Sequence, residues 1–369
     1  MKTIKDILTQ NEFGYDDIVT MLSAERPDDI ELLRGAADSS LRRNIGNKLY
    51  LRGLVEFSNI CTCNCLYCGI RRDNHGVKRY TLDEEEILEA ARWTAGHGYG
   101  SFVLQSGQRN VAQFIIFLEK LIYRIKEETA SDELPEGLGI TLSVGELSDA
   151  HYRRLYEAGA HRYLLRIETS NPAIFEKIHP PEQTFEQRIR ALNSLKNIGY
   201  QTGTGVMIGI PGQTIEDLAR DIVFFRAMDI DMIGMGPYLV HRQTPLGGYF
   251  ERWAALTDEI YQLSLKMIAV ARIVLGDVNI ASTTALETIR PEGKFEGIRF
   301  GANVLMPVLT PHEHRSNYLL YDGKAMTDVL EGKKGEEFIK KLKSIDREIA
   351  LGEWGDPKHY FNRTYAIKS

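Results

Sequence analysis

Leu51-Arg52-Gly53-Leu54-Val55-Glu56-Phe57 runs directly into Ser58-Asn59-Ile60-Cys61-Thr62-Cys63-Asn64-Cys65-Leu66-Tyr67-Cys68-Gly69. The first seven residues read as a mainly apolar strand closed by a polar turn. The loop behind them carries every cysteine of the chain. Reactive residues gathered at the C-terminal end of a strand are the mark of parallel sheets, whose chemistry sits where strands end and loops begin.

The pattern repeats outward from there. Besides 51–57, strands are predicted at 101–105, 139–144, 162–167, 204–210, 232–238, 278–282 and 302–307. Helices fill the gaps. Thr81-Leu82-Asp83-Glu84 reads as a capping box ahead of Ile87, Leu88, Ala91 and Ala95. Ser148 caps a helix ending at Gly159, a further helix ends at Gly199, and Thr214 opens one carrying Leu218, Ile222 and Phe225. Eight alternations without a Pro/Ser-rich linker predict a single (β/α)8 barrel of the TIM type over residues 49–369. Residues 1–48 read as an N-terminal helical cap.

Composition agrees. The 369 residues are 43% hydrophobic and 26% charged, which excludes a disordered, collagen-like or coiled-coil chain. Lys+Arg 45 against Asp+Glu 51 gives a net charge of -6, so there is no basic surplus for sequence-independent nucleic-acid binding. No secretory h-region and no apolar run of about 18 residues appears, and the expectation is a cytoplasmic protein off the membrane. Four cysteines within one short segment make no disulfide framework; they point to metal or catalysis in a reducing compartment.

Zinc usually takes two separated knuckles. Cys61, Cys65 and Cys68 instead give C-x3-C-x2-C, three thiolates that can hold three irons of a cubane and leave the fourth open. Zinc or free thiols is the competing reading, and Cys63 is read as a non-ligating spectator. Gly203-x-Gly205 is weak evidence for a dinucleotide fold, because no helix follows it directly.

This loop, with Tyr67 before its last cysteine, resembles the radical S-adenosylmethionine (SAM) superfamily. Glu56-Phe57-Ser58-Asn59, Arg71-Arg72-Asp73-Asn74, Leu104-Gln105-Ser106-Gly107 and Thr141-Leu142-Ser143-Val144-Gly145-Glu146 narrow the resemblance to the HydE family of FeFe-hydrogenase maturases. Leu165-Arg166-Ile167-Glu168-Thr169, Gly209-Ile210-Pro211-Gly212-Gln213-Thr214, Thr283-Thr284-Ala285 and Gly301-Ala302-Asn303-Val304-Leu305-Met306-Pro307 extend it over about residues 51–324. Biotin synthase and methylornithine synthase are more distant relatives.

The resemblance implies one 4Fe–4S cluster on Cys61, Cys65 and Cys68, with SAM chelated at the open iron and cleaved to a 5′-deoxyadenosyl radical. It implies SAM contacts from Tyr67, Ser143, Glu168, Arg188 and the backbone of Met207. Gln105, Arg166, Met232, Thr283, Thr284 and Tyr321 would line a site for a small anionic substrate, with one guanidinium and two hydroxyls suited to a carboxylate. A low-potential donor such as ferredoxin or flavodoxin and other maturation proteins are the implied partners. Taken alone, Glu168 and Arg188 would make a structural ion pair, and Met232 would be core packing.

Three departures from the family pattern stand out. No cysteine follows Cys68, and Lys324-Ala325-Met326-Thr327 stands where an accessory triad would be. Ile167 replaces a histidine and Gln108 a carboxylate, which together predict a drier, less anionic cavity. The leading function is FeFe-hydrogenase cofactor maturation. The alternatives are a paralogue acting on another amino-acid-derived or thioether substrate, by a methylornithine-synthase-like rearrangement, and a non-enzymatic iron–sulfur scaffold.

Overall fold

The computed structural model describes residues 2–325, 330 and 332–366. Its centre is a ring of eight parallel strands: β1 (Lys48–Ser58), β2 (Ser101–Ser106), β3 (Gly139–Ser143), β4 (Arg162–Leu164), β5 (Gln201–Thr204), β6 (Met232–Ile233), β7 (Asn279–Ile280) and β8 (Val304–Leu305). Neighbours in sequence pair in order from β1 to β7. β8 pairs with β1 through Tyr50↔Val304 and Leu51↔Leu305, and the parallel bridge Ala281↔Val304 joins β7 to β8. The ring is therefore closed.

All eight predicted strands exist, but several are shorter than the sequence suggests. The 162–167 prediction keeps only Arg162–Leu164, because the residues that follow leave the ladder to shape the mouth. The 204–210 prediction begins too late: β5 starts at Gln201, and Met207–Ile208 pairs separately with Gly236–Pro237 above the ring. The helix at Glu84–Gly96 is capped by Asp83 with Glu86, two residues beyond the expected box, since Thr81 is occupied in an antiparallel bridge to Ser58. The caps at Ser148, Thr214 and left-handed Gly199 (φ 110°) form as the sequence indicates.

The N-terminal helices Ile4–Ile7, Tyr15–Leu22 and Pro27–Asn44 share one continuous core with the barrel: Ile18, Met21 and Leu33 are fully buried with Ile222 and Phe225. A strand absent from the sequence reading, β9 (Glu348–Ala350), pairs with Lys48–Tyr50 of β1. The chain after it closes the N-terminal end of the ring. Ser101 Oγ and Arg162 Nη1 both donate to Trp354 O, at 2.6 and 2.8 Å, and Arg52 Nη2 donates to Gly355 O at 3.0 Å. With that end sealed, access to the interior is from the C-terminal face.

Candidate active site

At that face a cavity of about 320 Å³ opens between the strand ends and the cysteine loop. The loop is held by its backbone. Thr62 N donates to Gln108 O (2.9 Å), Leu66 N to Ile178 O (2.9 Å), Gly69 N to Leu320 O (2.9 Å) and Arg72 N to Cys63 O (2.7 Å). Arg79, which the sequence reading missed, clamps the loop's ends by donating to the carbonyls of Asn59 (2.7 Å), Ile70 (2.8 Å) and Arg71 (2.6 Å). Gly107 lets the loop sit against β2. A Cβ there would lie 2.4 Å from Ile60 O and 2.7 Å from Cys61 Cβ.

Cys61, Cys63, Cys65 and Cys68 all line the cavity as free, half-buried thiols. Among the described residues, no three of their sulfurs lie within 4.8 Å of one another. A single tetrahedral zinc at Zn–S of about 2.3 Å would draw its sulfurs to roughly 3.8 Å. The four sulfurs are thus not gathered into a one-ion tetrahedral site. Burial pushes the Cys65 thiol up to about 12 and holds the Cys68 thiol well above its ordinary value. Hydrogen bonding from Cys63, including its N–H to Cys61 Sγ at 3.4 Å, lowers the Cys61 thiol. Gln183 touches two sulfurs, with Nε2 donating to Cys63 Sγ and Oε1 accepting from Cys65 Sγ, each at 3.2 Å.

Glu168 reaches the cavity by an unusual backbone. Its φ of 65° is left-handed, a costly state for a residue with a side chain. The state is locked by Glu168 N to Gly205 O (2.9 Å) and Met207 N to Glu168 O (3.0 Å). Its carboxylate meets Tyr67 Oη at 3.3 Å and Arg166 Nη2 at 2.9 Å. Arg188 is buried, bonded to Glu146 and to the carbonyl of Arg166. Burial works against its charge, but Glu146 outweighs that and holds its guanidinium above the ordinary value. The structural Glu168–Arg188 pair is thus not formed; each has a different partner.

Tyr67, Ser143, Glu168, Arg188, Met207, Gln105, Arg166, Thr283, Thr284 and Tyr321 all line the same cavity as the cysteines. Met232 does not. It lies one layer lower, on a void of about 30 Å³, with Arg52 Nη1 3.1 Å from its sulfur. The N–H of Met207 is committed to Glu168 O, and its carbonyl accepts from Gln213 Nε2 at 3.0 Å.

Ile167 also departs from expectation. It is fully buried in the core outside the cavity, because Arg166 and Glu168 take the inward positions on either side, so it does not dry the cavity. Gln108 does line the wall, but its oxygen accepts from Glu146 N at 2.7 Å, a task a carboxylate would perform equally. The sequence reading also missed an ion pair on the wall, Glu56 with Lys324. Glu56 carries a legible signal, a charge on the inward side of a buried strand; Lys324 carries none. Met326 and Thr327 lie outside the described residues.

Residues 55–225 match the family model of the radical SAM superfamily. The chain is 42% identical over 323 residues to the FeFe hydrogenase maturase subunit HydE of Thermotoga maritima, covering 88% of each chain. It is 27% identical over 341 residues to 3-methylornithine synthase of Methanosarcina barkeri, covering 91% of this chain and 88% of that one. Its fold is similar to the crystal structure of methylornithine synthase (PylB), with a TM-score of 0.77 at 24% identity over 95% of this chain and 97% of that chain. Among the described residues, no helix is long and apolar enough to cross a membrane.

Proposed function

Because the chain belongs to the radical SAM superfamily, and within it to the family of the FeFe hydrogenase maturase subunit HydE, we propose that it works in FeFe-hydrogenase cofactor assembly on a small anionic, cysteine-bound iron complex. It is a radical SAM enzyme whose cofactors are one 4Fe–4S cluster and SAM. When bound, these supply one electron and the 5′-deoxyadenosyl radical that SAM releases with methionine.

The chain's own residues supply position. Cys61, Cys65 and Cys68 hold three irons, and Cys63 stays a spectator beside Gln183. Glu168 would accept from the polar groups of SAM, and Arg188, Ser143 and Tyr67, which line the same cavity, would complete its site. Arg166, Thr283 and Thr284 hold the substrate carboxylate, with Gln105 and Tyr321 beside them; Met232 acts only through the floor below. The closed ring would exclude water and oxidants from chemistry in its interior.

One observation carries this reading: the cysteines, Glu168 and the Arg166–Thr283–Thr284 group share a single cavity in a closed barrel. A carrier or scaffold has no use for such an interior. Of the two changes that favoured a paralogue, Ile167 lies outside the cavity and Gln108 keeps an acceptor role. A low-potential ferredoxin or flavodoxin as donor, other maturation proteins as partners and a cytoplasmic site complete the proposal. The test is expression in a hydrogenase-producing strain lacking its own HydE. Restored hydrogenase activity is the expected result; no restoration with SAM cleavage intact would assign another substrate.

A further inference from the structure

The walls of the cavity carry two buried polar atoms of opposite chemistry that lack a hydrogen-bond partner: Glu56 Oε2, an acceptor, and Arg166 Nε, a donor. Tyr238 Oη is unpaired on the same wall, whereas Glu168 Oε2 is ion-paired with Arg166 Nη2 at 2.9 Å. Buried polar atoms are nearly always satisfied in native proteins, and exceptions lining a cavity mark ligand contacts.

Glu56 stands near the top of β1, in register with Gln105 of β2, and is 2% exposed. Its other oxygen is taken by Lys324, whose ammonium also donates to Tyr318 O at 3.1 Å. Lys324 thereby fixes the carboxylate and compensates its burial, leaving Oε2 as the one oxygen of Glu56 open to a ligand. Glu56, Arg166 and Tyr321 all line this one cavity, so the two charged groups address the same interior space.

We propose that Glu56 Oε2 receives the ammonium group of an α-amino-acid moiety whose carboxylate lies at Arg166, Thr283 and Thr284. The cavity then reads an ammonium as well as a carboxylate on its substrate, with Lys324 positioning the acceptor. This rests on the reading of Arg166, Thr283 and Thr284 as the carboxylate anchor.

The test uses the holoenzyme, cluster-loaded and with SAM, and calorimetric titration of S-methyl-L-cysteine and its des-amino analogue 3-(methylthio)propanoate. Wild type binds the amino acid about tenfold or more tightly over the analogue, the scale of one charge-assisted hydrogen bond. Glu56→Gln erases that preference while changing the affinity for the analogue less than about twofold. Equal affinities in wild type would overturn the ammonium site and leave the carboxylate anchor standing. A preference that survives Glu56→Gln, or an equal loss for both probes, would also overturn it. If neither probe binds wild type while 2-(methylthio)ethylamine does, the anchor and the proposal fall together. The wild-type comparison decides the matter even if Glu56→Gln misfolds, and iron content identifies that case.

Discussion

Arg162 Nη1 donates to Asp356 Oδ1 at 2.6 Å, and 194 residues of chain separate the two. Arg162 is wholly buried in β4, and its other bonds go to Thr141 Oγ1, Ser101 Oγ and Trp354 O. The pair ties the C-terminal segment across the sealed end of the barrel. Removing one partner of a buried pair strands the other charge, at a cost of about 3 kcal/mol. Asp356→Ala should lower the urea midpoint accordingly; an unchanged midpoint would mean that the C-terminal segment does not seal the ring. Burial pushes the Asp356 carboxyl up, but Arg162 and then His161 hold it well below its ordinary value. With the folded value depressed, the stabilisation is present above the unfolded value of about 3.9 and is lost as pH falls below it.

His179 gives a second pH signature, in a different window. It is buried against Phe175 with ring centroids 3.8 Å apart. Burial, then the nearby Arg188 charge, lowers its pKa to about 3. The native state therefore keeps it neutral while the unfolded chain takes up a proton below about 6.5. The resulting stability is complete above that value and declines from there toward pH 3. Compared with wild type, His179→Gln should take up about one proton fewer on unfolding near pH 5, measured from the pH dependence of stability. Identical slopes in the two proteins would rule the burial argument out.

Much of this architecture is legible in the sequence because it rests on local patterns. Eight apolar runs, Ser148 and Thr214 as caps and Gly199 as a terminator need only nearest neighbours, and the cysteine spacing is itself short-range. What escapes is long-range. β9 pairs with a strand some 300 residues earlier, and Lys324 meets Glu56 only because the ring closes. The direction of Ile167 depends on Glu168 entering a left-handed backbone, which no side-chain pattern announces for a glutamate. Met232 sits one layer too low because β6 is only two residues long and its alternation could not be phased.

Gly107 supplies a steric test of the loop. Its missing Cβ is what allows Ile60 and Cys61 to approach β2. Gly107→Ala should displace Cys61 and reduce bound iron and sulfide after reconstitution, with little change in far-ultraviolet circular dichroism. Full cluster content in this variant would show that the loop can move aside at no cost.

Glu168→Gln keeps the shape of the side chain and removes its charge. Tyr67 and Arg166 remain to hold the amide, so the cavity should persist. Binding of SAM to the cluster-loaded protein should weaken by about 1–3 kcal/mol, the range for hydrogen bonds to a charged group. Equilibrium titration is the measurement, and unchanged affinity would return Glu168 to a purely structural role.

The cysteines allow the sharpest separation, because all four face one cavity and only three are assigned to iron. The proposal assigns Cys61, Cys65 and Cys68 to different corners of a cubane, whereas the N–H of Cys63 is turned onto Cys61 Sγ. Its sulfur already accepts from Gln183 Nε2, and its carbonyl accepts from Arg72 N. Cys63→Ala should therefore retain a full complement of iron and sulfide, with the optical and paramagnetic signatures of a 4Fe–4S cluster. Cys61→Ala, Cys65→Ala and Cys68→Ala should each lose them, since two thiolates leave a second iron open and the cluster labile. The outcome that would reassign the triad is loss of the cluster in Cys63→Ala together with its retention in Cys61→Ala. In that case the pair joined by the short N–H to sulfur contact would have exchanged roles, and the lowered Cys61 thiol would belong to a free residue instead of a ligand.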